Sequence, residues 1–296
     1  DYNGDTRSDL LIGIPGWNGY QGATLLYFGR ATPPASVTVP GDRATGFAGD
    51  FLFGTTATGG QFGTALVGGR QVNADSFSDV LIGEPSTAAG GSVYLRLGHA
   101  RSVTTGLIGT TTYDQQFVSP TAGASINFGA QIALANLDGG LRADLLVFMD
   151  YPPGGTVNDQ GVVLTFLNAS GSLPSTYSGM IRNDASPNTT DRFGFYLSTG
   201  NVPGISDLDG DGRTDVLVGM NRLAGAPGGG RMFMGRDFAT TLTSSSADLT
   251  VAPDAADTLS NGAVGYLGDV TGDGAPDFAV GHTRHATNRG RTIVVY

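Results

Sequence analysis

Short apolar runs alternate along the whole chain with clusters of glycine, aspartate, asparagine and serine. The runs are rich in valine, leucine, isoleucine, phenylalanine and tyrosine, which favour the pleated faces of β-strands. No long segment shows the 3.6-residue period of an amphipathic helix. The pattern therefore predicts an all-β protein made of short strands and glycine-rich turns.

Five of these runs directly follow an acidic loop of constant length. The clearest copies read DYNGDTRSDLLIG from Asp1, DLDGDGRTDVLVG from Asp207 and DVTGDGAPDFAVG from Asp269. Two weaker copies, QVNADSFSDVLIG from Gln71 and NLDGGLRADLLVF from Asn136, keep the spacing but lose acidic residues. The ninth loop position is aspartate in every copy, at intervals of 62 to 71 residues: Asp9, Asp79, Asp144, Asp215 and Asp277. Such periods are typical of propellers and solenoids, in which each unit buries its faces against its neighbours.

Each repeat presents its elements in the same order. A phenylalanine-glycine pair opens a strand, the acidic loop and the apolar strand follow, and a variable loop leads to a third strand such as GSVYLRLG (Gly91–Gly98). A Ser/Thr-rich stretch is predicted to form an irregular fourth strand. The opening pairs are Phe62-Gly63, Phe128-Gly129 and Phe193-Gly194, with Asn261-Gly262 in the fifth copy. Four antiparallel strands in each repeat predict one blade of a β-propeller.

These motifs resemble the FG-GAP repeat of the integrin α-subunit propeller. The resemblance rests on the phenylalanine-glycine pair, the acidic loop and an apolar strand that ends Gly13-Ile14-Pro15 or Gly83-Glu84-Pro85. It implies one calcium-binding FG-GAP propeller domain over residues 1–296, with about five blades of four antiparallel strands. The blades are expected at residues 1–60, 61–126, 127–191, 192–260 and 261–296.

The first and last of these blades are incomplete in this sequence. The first begins inside its acidic loop and the last ends at its third strand. We therefore expect either that the chain is part of a longer propeller or that a neighbouring subunit supplies a strand by exchange. In both cases the segment Leu10–Ile14 should pair with a strand from outside its own blade, or its inner edge should lie open.

The acidic loops place oxygen-bearing side chains at alternate positions, which is the ligand set that Ca²⁺ requires. Glycines at the fourth position (Gly4, Gly210 and Gly272) permit the backbone to turn. Side chains at positions 1, 3, 5 and 9, with the backbone carbonyl at position 7, give these candidate metal ligands: Asp1, Asn3, Asp5, Arg7 and Asp9; Asn73, Asp75 and Asp79; Asn136, Asp138 and Asp144; Asp207, Asp209, Asp211, Arg213 and Asp215; Asp269, Thr271, Asp273, Ala275 and Asp277. We expect Ca²⁺ in the first, fourth and fifth loops, and up to five ions in all. The alternative is that the loops are Asx-turns without metal, in which case the crowded carboxylates would repel one another.

The loops after the second strand of each repeat lie at the opposite end of the blades, because successive strands alternate in direction. In integrins the corresponding face binds the ligand, so the resemblance implies a protein or carbohydrate partner there. The candidate contact residues on these loops are Trp17, Tyr20, Tyr151, Arg222, His282 and His285. Trp17 is the single tryptophan and lies among polar residues, so it either contacts a partner or packs on a neighbouring loop. The two histidines are expected in an exposed variable loop.

Composition narrows the function. A net charge of −10 without any lysine argues against binding to nucleic acid and against insertion into anionic membranes. There is no cysteine, so disulfides and thiolate metal sites are excluded. No nucleophile elbow, phosphate loop or zinc-protease motif is present, and we expect no enzyme activity.

The sequence thus predicts an extracellular or cell-surface module for adhesion or recognition. The alternatives are a catalytic or accessory propeller of a carbohydrate-active enzyme, and a self-assembling structural subunit joined by strand exchange.

Overall fold

The computed structural model describes residues 1–32, 36, 51–54, 58–100, 106–108, 113–123, 125–154, 159–184, 191–200, 206–220, 228–252, 262–282 and 289–296. The regular elements of this part of the chain are almost all β-strands, which confirms the predicted all-β class. Its helical elements are a distorted turn at Trp17–Tyr20 and a 3-10 turn at Ser244–Ser246. None of the described helices is long and apolar enough to cross a membrane.

The described strands are short and follow one another closely along the chain. In chain order they are β1 (Leu10–Ile14), β2 (Ala23–Tyr27), β3 (Phe51–Gly54), β4 (Leu66–Arg70), β5 (Asp79–Glu84), β6 (Ser92–Arg96), β7 (Gly106–Ile108), β8 (Gln115–Val118), β9 (Ile132–Ala135), β10 (Asp144–Met149), β11 (Val162–Phe166), β12 (Gly179–Arg182), β13 (Phe193–Ser198), β14 (Val216–Met220), β15 (Gly230–Phe233), β16 (Thr241–Thr243), β17 (Leu249–Val251), β18 (Gly262–Gly268), β19 (Asp277–His282) and β20 (Arg291–Val295).

The strands form five sheets, in two compact units that span Asp1–Ile132 and Ala133–Tyr296. In the first unit, sheet 1 has the order β1-β2-β3-β7 and sheet 2 has the order β4-β5-β6-β8. In the second unit, sheet 3 has the order β9-β10-β11-β12-β16, sheet 4 has the order β13-β14-β15-β17, and sheet 5 has the order β18-β19-β20. No closed propeller is found among the described residues.

The predicted four antiparallel strands per repeat occur in sheets 2 and 4. Sheets 1 and 3 differ, because β7 pairs in parallel with β3 and β16 pairs in parallel with β12. Both added strands come from the Ser/Thr-rich stretch of the following repeat. The same stretches also supply β8 and β17, the predicted fourth strands of sheets 2 and 4. The pairing of β7 and β16 with the preceding sheet was not predicted, and it satisfies backbone groups at the outer edge of that sheet.

Glycines of the repeat motif mark the places where neighbouring sheets touch. Within the first unit, a Cβ atom added to Gly83 would collide with the carbonyl oxygen of Gly129. The same collision relates two other pairs: Gly13 with Gly63, and Gly219 with Gly262. In the third repeat Phe148 takes the place of the first glycine, and its ring lies 3.2 Å from the Cβ position of Gly194. Glycine recurs at both motif positions because the backbones approach too closely for a side chain.

Apolar side chains fill the space between consecutive sheets of each unit. In the first unit the core between sheets 1 and 2 contains Leu26, Phe53, Phe62 and Ile82. In the second unit a core of twelve buried side chains, Phe193, Phe233 and Phe238 among them, joins sheets 3 and 4. A smaller core around Phe278 and Val280 joins sheets 4 and 5.

Strand β1 has an open edge in the described chain. It pairs with β2 alone, and Leu10 and Ile12 are 55% and 40% exposed. This is one of the two arrangements expected for the segment Leu10–Ile14. An open edge presents unpaired N–H and C=O groups and is a site at which another strand can add.

The glycine contacts predict a large difference between two matched substitutions. Gly219→Ala should lower the free energy of unfolding by about 3 kcal/mol, because the added methyl group collides with the backbone of Gly262 and forces the sheets apart. Gly265→Ala, on β18, places its methyl group in open space and should change the free energy by less than about 0.5 kcal/mol. Urea unfolding of both variants measures the difference. Equal stabilities would show that the contact is not rigid.

Candidate metal centre

Each acidic loop is held by the aspartate at its ninth position. In the fourth loop Asp215 accepts a hydrogen bond at Oδ2 from the N–H of Leu208 (2.7 Å) and one at Oδ1 from the N–H of Gly235 (2.9 Å). Leu208 is the second loop residue and Gly235 lies beyond the third strand, so one carboxylate joins the loop to the far end of β15. The same pair of bonds forms at Asp9 with Tyr2 and Gly29, at Asp79 with Val72 and Gly98, and at Asp144 with Leu137 and Asn168.

We had considered this aspartate only as a metal ligand and had missed its structural role. In the fifth loop Asp277 receives the first of the two bonds, from Val270 at 2.8 Å. The signal available in the sequence was that aspartate is present at this position even in the loops that have lost other acidic residues. If this aspartate served only as a metal ligand, those loops could lose it. An aspartate that hydrogen-bonds the backbone of the loop is needed whether or not a metal is bound.

Other acidic side chains of the fourth loop accept hydrogen bonds from backbone N–H groups of the same loop and so hold it in tight turns. Asp207 accepts bonds from the N–H groups of Gly210 (2.8 Å) and Gly212 (2.9 Å), and Asp209 accepts one from Asp211 (3.2 Å). Gly210 and Gly212 have φ values of 76° and 84°, in the left-handed region that glycine enters without strain. These are the Asx-turns of the metal-free alternative, but a carboxylate oxygen that accepts one N–H keeps a second lone pair for a cation.

The curled loop brings three carboxylates together. One oxygen from each of Asp207, Asp209 and Asp215 lies within 4.8 Å of the other two, and this is the one such acidic group among the described residues. Two ligands on opposite sides of a Ca²⁺ ion, at about 2.4 Å each, are about 4.8 Å apart, so the spacing suits a single ion. Asp215 is buried, Asp207 half-buried and Asp209 exposed, so the group opens to solvent on one side.

Two predicted ligands of the same loop are placed differently. Asp211 accepts a hydrogen bond from the N–H of Arg213 (2.8 Å), and its Oδ2 lies against Gly235. It is therefore outside the group formed by the other three carboxylates and would have to rotate to reach an ion there. The Arg213 side chain extends toward the carbonyl of Arg236 at 3.4 Å, and its own carbonyl remains a predicted ligand.

The remaining loops do not gather their acidic side chains to the same degree. In the first and second loops the asparagine at position 3 donates its side-chain amide to the aspartate at position 5: Asn3 to Asp5 at 3.2 Å, and Asn73 to Asp75 at 2.7 Å. The ligands proposed for these loops, with Asp1 and Arg7, therefore remain predictions.

The third and fifth loops likewise hold their predicted ligands in backbone turns. Asp138 and Asp273 accept bonds from Gly140 and Ala275, and Asp269 accepts bonds from three loop N–H groups. Thr271 donates its hydroxyl to Asp269 at 3.4 Å. The sequence predicted Ca²⁺ in both the fourth and the fifth loops, but in the described structure convergence of the carboxylates distinguishes the fourth.

Neighbouring acidic loops are joined through their backbones. The carbonyl of Asn136 accepts the N–H of Thr214 at 2.6 Å, and its own N–H donates to the Thr214 hydroxyl at 3.0 Å. The Asn136 side-chain amide reaches the carbonyl of Gly212 at 3.2 Å. In the first unit Ser78 donates in the same way to the carbonyl of Asp1. A movement of the fourth loop would therefore directly displace the third loop.

The candidate contact residues at the opposite strand ends have diverse environments. Trp17 is only 7% exposed, and its ring packs on Ile14 and Ala23 of the flanking strands β1 and β2 rather than on a neighbouring loop. Tyr20 is 61% exposed, and Tyr151 is half-buried. His282 is fully buried as the last residue of β19, so its expected position in an exposed loop was wrong. Arg222 and His285 lie outside the described residues.

Two acidic residues at these strand ends have internal partners that the sequence did not indicate. Asp150 is buried and accepts two hydrogen bonds from the Arg192 guanidinium, at 2.8 and 3.0 Å. Arg192 also lies over the ring of Phe195, 4.3 Å from its centre. Glu84 is buried and accepts the Tyr94 hydroxyl at 2.7 Å. These groups join strands and loops from the inside.

Burial raises the pKa of three of the ninth-position aspartates, Asp79, Asp144 and Asp215. Loss of solvation raises the pKa of Asp215 to about 6, and the two backbone N–H donors oppose part of this rise. The same cause raises the pKa of Asp144 to about 6 and raises that of Asp79. The folded chain therefore holds these carboxylates at a cost when they are charged, and a bound cation would offset that cost.

The raised pKa of Asp215 predicts proton-linked cation binding. A proton and a cation compete for its carboxylate, so affinity should fall by up to about tenfold per pH unit below about pH 6. Without cation the folded pKa lies above the ordinary value of 3.8, so the folded form binds more protons and stability should fall as pH rises from about 4 to about 6. Calorimetric titrations at pH 7 and pH 5 measure the linkage. An affinity that is the same at both values would contradict it.

No protein-family model and no curated protein matches this chain. The resemblance to FG-GAP repeats therefore rests on the residues of the repeat alone and stays a prediction. The structure itself supports an all-β chain of five mostly antiparallel sheets, with one group of three aspartates able to hold a metal ion in the described part.

Proposed function

We propose that this chain is a calcium-binding β-propeller of the FG-GAP type that acts, outside the cell and without catalysis, as a module for adhesion or recognition. The observation that carries the proposal is the convergence of Asp207, Asp209 and Asp215 on one point. A protein or carbohydrate partner is expected on the loops at the other end of the strands.

Calcium suits the three-aspartate group better than other metals. All the ligand atoms are carboxylate oxygens, which hard cations prefer, and the group contains no imidazole or thiolate. One side is open to solvent, where water and the Arg213 carbonyl can complete a coordination number of six to eight. Magnesium requires strict octahedral geometry and keeps most of its water, so a flexible loop favours calcium.

A bound ion would stiffen the part of the sheet that its ligands join. Asp215 already links the loop between β13 and β14 to the residue beyond β15. An ion held by Asp207, Asp209 and Asp215 together would fix the loop to the backbone groups that Asp215 already joins. The hydrogen bonds of Asn136 would then restrain the neighbouring loop too. A rigid scaffold reduces the entropy that recognition loops lose when a partner binds.

A second candidate function, assembly by strand exchange, is favoured by the open edge of β1. Its half-exposed apolar residues Leu10 and Ile12 lie beside unpaired backbone groups. A strand from another subunit could pair there by β-augmentation. Light scattering after size-exclusion chromatography distinguishes the candidates, because assembly requires a mass above 30.2 kDa that falls when Ile12 is replaced by lysine.

Removal of calcium should destabilise the protein. Ion binding to the folded state alone adds about 2.7 kcal/mol when free calcium is 100 times its dissociation constant. Chelation with EGTA should therefore lower Tm by roughly 5 °C or more, and calcium should restore it further than an equal concentration of magnesium does. An unchanged Tm, with no calcium found by elemental analysis, would contradict the proposal that the chain binds calcium.

Two matched substitutions test the location of the ion. Asp209→Asn and Asp138→Asn change the third position of the fourth and third loops and conserve size. The first should remove about one bound calcium and most of the calcium-dependent rise in Tm, because it takes one of three converging carboxylates. The second should have a smaller effect, since the third loop has Asn136 and Gly140 in place of acidic residues. Equal calcium loss in the two variants would show that convergence is not the criterion.

A further inference from the structure

A cleft of about 410 Å³ opens where β19 and β20 end, and we propose that it binds the carboxylate or sulfate group of an acidic sugar. It is lined by Gly281, His282, Arg289, Gly290, Arg291 and Thr292. The inference rests on the recognition role proposed above and specifies the chemical group that would be recognised. The volume lies within the range of small-molecule sites.

The strand register explains how the polar side chains reach the cleft. His282 lies opposite Arg291, Val280 opposite Ile293, and Phe278 opposite Val295. Side chains of directly opposed residues in an antiparallel pair point to the same face. Phe278 and Val280 belong to the core against sheet 4, so the face is apolar along most of its length. His282 and Arg291 are the next pair on that face, where the apolar contact ends and the cleft begins.

The charge of the lining is opposite to that of the chain. The chain carries 26 acidic residues and 16 basic ones, yet the described residues of this cleft include two arginines, one histidine and no acid. Four arginines elsewhere in the described part lie within 4.0 Å of a carboxylate, Arg96 beside Asp114 and Arg192 beside Asp150 among them. Arg289 is exposed and pairs with no carboxylate among the described residues. Its guanidinium is therefore available to an anion that enters from solvent.

The residue types select an oxyanion. A guanidinium presents a planar fork of N–H donors that matches a carboxylate or sulfate and pairs with it through two hydrogen bonds. His282 is buried at the base, where a lower dielectric strengthens contacts between charges. Gly281 and Gly290 have no side chains, and Gly290 has a φ of 74°, so a ligand can approach the backbone.

The same lining favours a sugar over a peptide. The described residues of the cleft offer threonine, glycine and cationic donors but no aliphatic or aromatic side chain to hold a hydrophobic anchor. Peptide recognition generally depends on such anchors or on an added strand. A sugar acid presents hydroxyl groups around one charged group, and these match a polar cleft with two arginines.

The cleft is separate from the cation loops. The fifth acidic loop precedes β19 and the cleft follows its last residue, so the six residues of β19 separate them by about 20 Å. At that distance the interaction between the two sites is largely screened at physiological salt. Anion binding in the cleft should therefore persist when calcium is removed under conditions that keep the chain folded.

Calorimetric titration of the full chain with sodium glucuronate, sodium sulfate and neutral glucose, at constant ionic strength, tests the inference. Glucuronate or sulfate should bind with millimolar affinity and glucose should not. Arg289→Gln, at an exposed position, should weaken binding about tenfold or more, and Arg291→Gln should do the same. Arg182→Gln, an exposed arginine at the end of β12, is the matched control and should leave binding unchanged.

Three outcomes would overturn the inference: no binding of either anion, equal affinity in the Arg289→Gln variant, or binding of a tri-glutamate peptide in place of glucuronate. Calcium titrations of the same samples separate this result from the calcium proposal. If anion binding is absent while calcium binding is intact, only the proposed anion site is contradicted. If anion binding is intact while calcium binding is absent, only the proposed metal centre is contradicted.

Discussion

Each repeat depends on an aspartate carboxylate that accepts two backbone N–H groups, and this carboxylate is buried in four of the five repeats and half-buried at Asp9. It faces the beginning of its own acidic loop with one oxygen and, in four of the five repeats, the residue beyond the third strand with the other. Burial of a charged group is tolerated only when its oxygens are satisfied in this way. The arrangement fixes where the loop starts, how the second and third strands align, and where other acidic side chains can meet.

The same hydrogen-bonded aspartate also supplies one ligand of a potential metal site. The aspartate must remain at the strand start whether or not an ion is present, and at Asp79, Asp144 and Asp215 desolvation raises its pKa. Where the loop adds further carboxylates, as at Asp207 and Asp209, repulsion grows until a cation becomes the least costly partner. The third loop has Asn136 and Gly140 in place of acidic residues, so Asp144 can make its two backbone hydrogen bonds there without a cation nearby. One scaffold can thus hold loops that need an ion and loops that do not.

The sequence predicted what depends on local spacing and failed where packing decides. The acidic loops, the strands after them and the all-β class follow from periodicity and turn chemistry. The burial of Trp17 was left open, because its neighbours in sequence are polar while its contacts, Ile14 and Ala23, come from the flanking strands. The placement of His282 failed because the strand continues through it to meet Arg291. The sequence predicted calcium in both the fourth and the fifth loops, and it gave no means to foresee that, among the described residues, Asp207, Asp209 and Asp215 would be the group that converges.

The parallel strands β7 and β16 have a consequence for how such a chain can be divided. Each belongs by sequence to one repeat and by hydrogen bonding to the sheet of the repeat before it. Cut out alone, the first or third repeat would lack the strand that finishes the outer edge of its sheet, and the second or fourth would carry a strand that its own sheet does not use. The borrowed strand cannot be separated by a single cut, because β7 lies between β6 and β8 of sheet 2 and β16 lies between β15 and β17 of sheet 4. The smallest divisible module in the described chain is therefore a pair of repeats, the first with the second or the third with the fourth.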